Sequence, residues 1–197
     1  MRSVKVAYAL EGHRDLQVIP VLVQRLAADF DPTLHLVTSP VRARKHGFGF
    51  IKELPEILRR ASAESVDVLV CVVDGNSKPS ERIKDLREGV EGAGPLPVRV
   101  VSGVAVRAME AWLLADEGAI SAALAGRPAV PKQAEPRSPR DPKAVLQKLI
   151  AEATAGDEFL TDAIGAAIAA QMDLRLARDR CPDLDDFARV LTSAFRD

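Results

Sequence analysis

The 197-residue chain is poor in the features that make most folds easy to read. It has two cysteines, far apart, so neither a disulfide framework nor a zinc site is available. Aromatic residues make up only 4%, with one tryptophan, so Val, Leu, Ile and Ala must fill the core. The formal net charge is −1. That excludes an overall basic surface of the kind that captures nucleic acid unaided, and leaves phosphate contacts to local basic clusters or to a partner. No apolar run approaches the roughly 18 residues of a membrane helix, and Met1-Arg2-Ser3 enters a strand without an apolar leader, which together predict a cytoplasmic protein. G-x-x-x-x-G-K-[ST], G-x-S-x-G, H-E-x-x-H and a strand-following G-x-G-x-x-G are all missing. These absences set aside a P-loop ATPase, a serine hydrolase of the elbow type, a zincin and a nicotinamide enzyme.

What is present is an alternation of strands and helices. β-Branched runs at 3–10, 33–38, 66–73 and 97–101 read as strands. Helical periodicity occupies 15–30, where Pro20 predicts a broken or kinked first turn, and then 51–63 and 79–91. The pattern predicts βαβ units, a parallel four-stranded sheet and an α/β fold. The apolar third strand predicts a central position, covered on both faces. Beyond residue 104 the chain reads as helical: 106–124, a helix opened by Asp141-Pro142 as N-cap and N1, then about 158–179 and 184–195, the last capped by Asp183 or Asp185. Four prolines between 126 and 140 predict a surface loop. The expected division is an α/β domain over 1–125 and, over 126–197, a proline-rich loop and helical extension packed on it.

Acids stand where strands end. Glu11-Gly12 follows the first, Asp74-Gly75-Asn76 follows the third, and Glu110 and Asp116 bracket the Trp112 turn. Carboxylates at the carboxyl ends of neighbouring parallel strands face one crevice, the usual ligand site of an open α/β sheet. Acids from separate segments converging there suit a hard cation, Mg²⁺ or Mn²⁺. The expected site is Glu11 as metal ligand or general base, Asp74 as principal ligand, Asn76 as a neutral supporting ligand and Glu110 as a third acid. Arg44 and Lys45, in the basic run 42–46, are the expected phosphate contacts. Trp112, Leu113 and Leu114 read as core, as does Cys71.

Leu10-Glu11-Gly12 with Asp15, Val73-Asp74-Gly75, the Glu110-Ala111-Trp112-Leu113-Leu114-Ala115-Asp116 segment, Asp141-Pro142-Lys143 and Cys181-Pro182 together resemble a bacterial family of Toprim-like proteins. That family is related to the overcoming-lysogenisation-defect-type nucleases. The resemblance implies a Toprim-like, Rossmannoid sheet with a C-terminal helical extension and a Mg²⁺ site. It also implies nuclease activity on nucleic acid in a defence or repair system, beside an ABC-type ATPase. Asn76 departs from the second acid of the strand-end D-x-D. The alternative is therefore a non-catalytic, Toprim-shaped partner of an ATPase. A receiver-like phosphoacceptor role for Asp74 lacks the paired acids and the lysine it needs.

Overall fold

The computed structural model describes residues 2–43, 47–124, 136, 140–156 and 160–196. Four strands, β1 (Arg2–Leu10), β2 (Leu34–Arg42), β3 (Val68–Asp74) and β4 (Arg99–Ala105), form one parallel sheet in the order β2-β1-β3-β4. Helices α1 (Asp15–Phe30), α2 (Leu54–Ala63) and α3 (Pro79–Glu91) make the crossovers. The chain leaves β1 toward β2 and returns past it to β3. The switch point therefore lies between β1 and β3, where a crevice opens at the carboxyl ends of the strands.

The period-2 alternation of β3 explains its lack of polar residues. Val68, Val70 and Val72 join one core, with α1 and the C-terminal helices. Leu69, Cys71 and Val73 join the other, with α2 and α3. Every residue from Val68 to Val73 is buried, as a central strand covered on both faces requires.

Several boundaries differ from expectation. α1 runs unbroken through Pro20. β2 continues to Arg42 because its register on β1 slips between Val6 and Tyr8, and the slip accommodates Pro40 on an edge strand. β4 extends to Ala105, paired residue for residue with β3 up to Asp74. A 3₁₀ turn, Gly47–Glu53, precedes α2. The single helix expected over 106–124 is two short ones, α4 (Glu110–Leu113) and α5 (Glu117–Ala123). Arg107, left-handed at φ 71°, blocks the start. Asp116 then takes an extended conformation and caps α5 through Ala119 N–H at 3.0 Å.

α6 (Pro142–Ala153) begins as expected, with Asp141 as its cap. The helix expected over 158–179 is α7 (Asp162–Gln171) and α8 (Leu174–Arg180). Asp173 caps α8, and its own N–H donates to Asp116 Oδ2 at 2.7 Å, so the break ties α8 to the start of α5. α9 (Pro182–Arg196) starts before Asp183 and Asp185, so neither is its cap. Asp183 Oδ2 instead accepts from Trp112 Nε1 at 2.6 Å and from Val106 N–H at 2.9 Å. Trp112 is fully buried and stacks on Phe187, centroids 5.7 Å apart. Such a pair contributes roughly 0.5–1.5 kcal/mol beyond the area it buries. β4 approaches α9 so closely that a Cβ on Gly103 would meet Phe187 Cδ2 at 2.7 Å.

The C-terminal helices thus share the larger core with β1 and α1. The proline-bearing stretch 126–140, expected as a loop, falls almost wholly outside the described residues. Among the described residues no helix is long and apolar enough to cross a membrane.

Candidate functional site: an acidic crevice at the switch point

A cavity of about 970 Å³ opens at the carboxyl ends of the strands. Glu11, Asp15, Asp74 and Glu110 line it, together with Asn76, Arg107, Arg140, Lys143 and Asp162. The four residues expected to form the site, Glu11, Asp74, Asn76 and Glu110, therefore line one cavity, the three acids among them drawn from separate segments. They arrive from the end of β1, the end of β3 and the start of α4.

Each acid is held by a specific contact. Glu11 Oε2 accepts the N–H of Asp74 at 3.1 Å, which stitches the end of β1 to the end of β3. Asp74 Oδ1 accepts the N–H of Met109 at 2.9 Å, which brings the start of α4 against β3. Asp15 Oδ2 accepts the N–H of Gly12 at 2.8 Å and shapes the turn into α1. Glu110, only 6% exposed, is paired with Arg14, whose Nη1 donates to Oε1 at 2.8 Å. Arg14 also donates to the Leu160 carbonyl at 3.3 Å and lies 3.7 Å from Asp162, so it fastens the start of α7 to the crevice.

The acids hinder one another's ionisation. Burial, reinforced by Asp15, Glu110 and Glu11, pushes the Asp74 carboxyl up from 3.8 to about 7, against the lowering effect of the Met109 bond. Burial likewise raises Glu11, opposed by the Asp74 N–H and Arg82. Asp15 is raised by burial, with Glu110 and Asp162 adding to it. An excess of carboxylates held in one partly dry space is short of positive charge.

Asn76 and Arg107 also line the cavity. Asn76 N–H donates to the Arg107 carbonyl at 2.9 Å in an isolated bridge, and both residues are left-handed, at φ 50° and 71°. Gly75 is required beside them, since a Cβ there would stand 2.9 Å from the Ala105 carbonyl oxygen. For arginine the left-handed conformation costs roughly 1–2 kcal/mol, and strain of this kind gathers at functional sites. Asn76, the expected supporting ligand, lines the cavity while its amide N–H lies 3.4 Å from the Asp74 carbonyl.

Among the described residues no group of three or more His, Cys, Asp and Glu side chains stands in metal-holding geometry. Glu11, Asp15 and Asp74 are oxygen donors, the type of side chain that a hard divalent cation takes. Each anchors one oxygen on a backbone N–H. Arg44 and Lys45, the expected phosphate contacts, lie outside the described residues.

Sequence reasoning missed three participants. Asp15 was visible as an acid but was read only as part of a motif. Arg14 and Asp162 carry no local signal, because their pairing joins residues nearly 150 positions apart. The conformation of Arg107 has no signature in residue type.

Fold and crevice define a class: an open α/β protein with an acidic pocket at its topological switch point. A family model with the description Domain of unknown function (DUF4276) matches residues 10–192, and the chain belongs to that family. No curated protein and no solved structure matches the chain.

Proposed function

We propose that the protein is a Mg²⁺- or Mn²⁺-dependent phosphodiester hydrolase acting on nucleic acid. The observation that carries this reading is the convergence of Glu11, Asp15, Asp74 and Glu110 in one cavity that Arg140 and Lys143 also line. Carboxylates that resist ionisation beside one another are relieved by a divalent ion, and basic groups across the same space suit a phosphate. When bound, such an ion supplies charge stabilisation at the phosphate and a more acidic water.

The chain's own residues divide the remaining work. Asp74 and Glu11 hold the cation, with the Asn76 amide oxygen as a weaker, neutral contributor. Glu110, kept in place by Arg14, would orient a water. The Toprim-like resemblance of the Glu11, Asp74 and Glu110–Asp116 segments supports the same reading. The near-neutral net charge favours delivery of substrate by a partner, for which an ABC-type ATPase is the candidate. Two buried free thiols suit a reducing, cytoplasmic setting.

One observation favours a second reading. Glu110 is already neutralised by Arg14, and Asn76 adds no charge, so a degenerate site in a non-catalytic partner of an ATPase has support. A cleavage assay separates the two. Single- and double-stranded DNA and RNA are incubated with wild type and Asp74→Ala, in millimolar Mn²⁺ and in chelator. Metal-dependent cutting that Asp74→Ala abolishes while its circular dichroism stays native supports the hydrolase. Mn²⁺ binding without cutting of any substrate supports the partner module.

A further inference from the structure

Three arginines line the crevice, and two of them, Arg14 and Arg107, are used differently. Arg14 is committed to Glu110, to the Leu160 carbonyl and to Asp162. Arg107 lines the same cavity, which holds six acidic residues, yet among the described residues its side chain forms no ion pair and no hydrogen bond. Its backbone is left-handed where it bridges to Asn76, a conformation in which glycine would rest without strain. An arginine kept in an unfavourable backbone state, lining the cavity and with no partner among the described residues, is explained by an external anion.

The cavity's lining narrows what that anion is. Among the described lining residues there is no Phe, Tyr or Trp, and the one aromatic ring, that of His13, is tied to Asp162 at 3.1 Å, so the lining offers bases little stacking surface. Arg140 and Lys143 lie on the same cavity, beside the Asp141-capped start of α6. Phosphate is the feature of a nucleic acid that these groups recognise, and phosphate contacts position a strand without reading its sequence.

We infer that Arg107 is a substrate-positioning residue that grips a backbone phosphate of the nucleic acid, independently of base identity. The inference rests on the hydrolase reading, and it concerns binding rather than cleavage.

The test is fluorescence anisotropy of a labelled oligonucleotide across a salt series, with Ca²⁺ replacing the activating ion. Wild type is compared with Arg107→Gly and Arg107→Lys, and Mn²⁺ binding and thermal melting are measured on all three. The expected result for Arg107→Gly is roughly tenfold weaker binding and a salt slope smaller by about 1, with Mn²⁺ binding unchanged and a melting temperature equal to or above wild type. Arg107→Lys should keep the slope and lose part of the affinity. Wild-type affinity and slope in Arg107→Gly would overturn the inference. So would equal affinity losses in both variants accompanied by lowered melting, which mark a structural role. Wild type that binds Mn²⁺ but no oligonucleotide overturns the phosphate grip and leaves the cation site standing. Failure to bind Mn²⁺ as well removes the hydrolase reading and this inference together.

Discussion

Two groups of buried or half-buried acids sit on either side of α4, and they are built to opposite rules. On the core side, Asp116 accepts the N–H groups of Ala119 and Asp173, and Asp183 accepts from Trp112 and Val106. Each of these carboxylates gathers two donors, at least one of them from a distant part of the chain. On the crevice side, Glu11, Asp15 and Asp74 take one backbone donor each and face other acids, with Arg82 near Glu11 and Arg14 near Asp15 as the opposing charges. The first arrangement joins helices; the second concentrates negative charge in a pocket. Buried charge that gathers donors holds a structure together, whereas buried charge crowded by like charge marks a place where something else binds.

The largest expected difference is in stability. Asp183→Ala strands the Trp112 indole N–H inside the core and should cost about 2–4 kcal/mol, read by chemical denaturation. Asp74→Asn should do the reverse. The Asp74 carboxyl is raised to about 7 in the fold from an ordinary 3.8. Its contribution is therefore fully present below pH 4 and is lost as pH rises through 7. The asparagine variant should be about 2 kcal/mol more stable than wild type at pH 8, and the gap should close toward pH 4. A variant less stable than wild type at both pH values would put Asp74 with the structural acids.

Arg14→Gln comes next. It leaves Glu110 buried beside Asp15 without its cation and should cost roughly 1–3 kcal/mol. Added Mn²⁺ should restore more melting temperature to this variant than to wild type. The smallest effect is Asn76→Asp, which adds a negative ligand to the cavity lining and should tighten Mn²⁺ binding several-fold by calorimetry. No change there would remove residue 76 from the site.

The sheet and its crossovers were legible because β3 is apolar on both faces and helices of helical period separate the strands. The crevice was legible in outline, since acids at strand ends announce themselves. The division of 106–124 was not. Leu114 and Ala115 continue a helical composition past the end of α4 at Leu113 up to Asp116, which caps a new helix, and Arg107 is left-handed where it bridges to Asn76. Asp183 was misread as a cap because its partners, Trp112 and Val106, are more than 70 residues away. Local pattern reports periodicity and termini; it does not report which distant donor a carboxylate will find.

The central claim is that the crevice acids form a divalent-cation site. Calorimetric titration of Mn²⁺ at pH 6 and pH 8, with wild type and Asp74→Asn, tests it most directly. The account predicts binding by wild type that strengthens several-fold or more from pH 6 to 8, with a proton released as Asp74 ionises, and little or no binding by Asp74→Asn. Binding that is absent from wild type, or equal in both proteins and flat with pH, would contradict it.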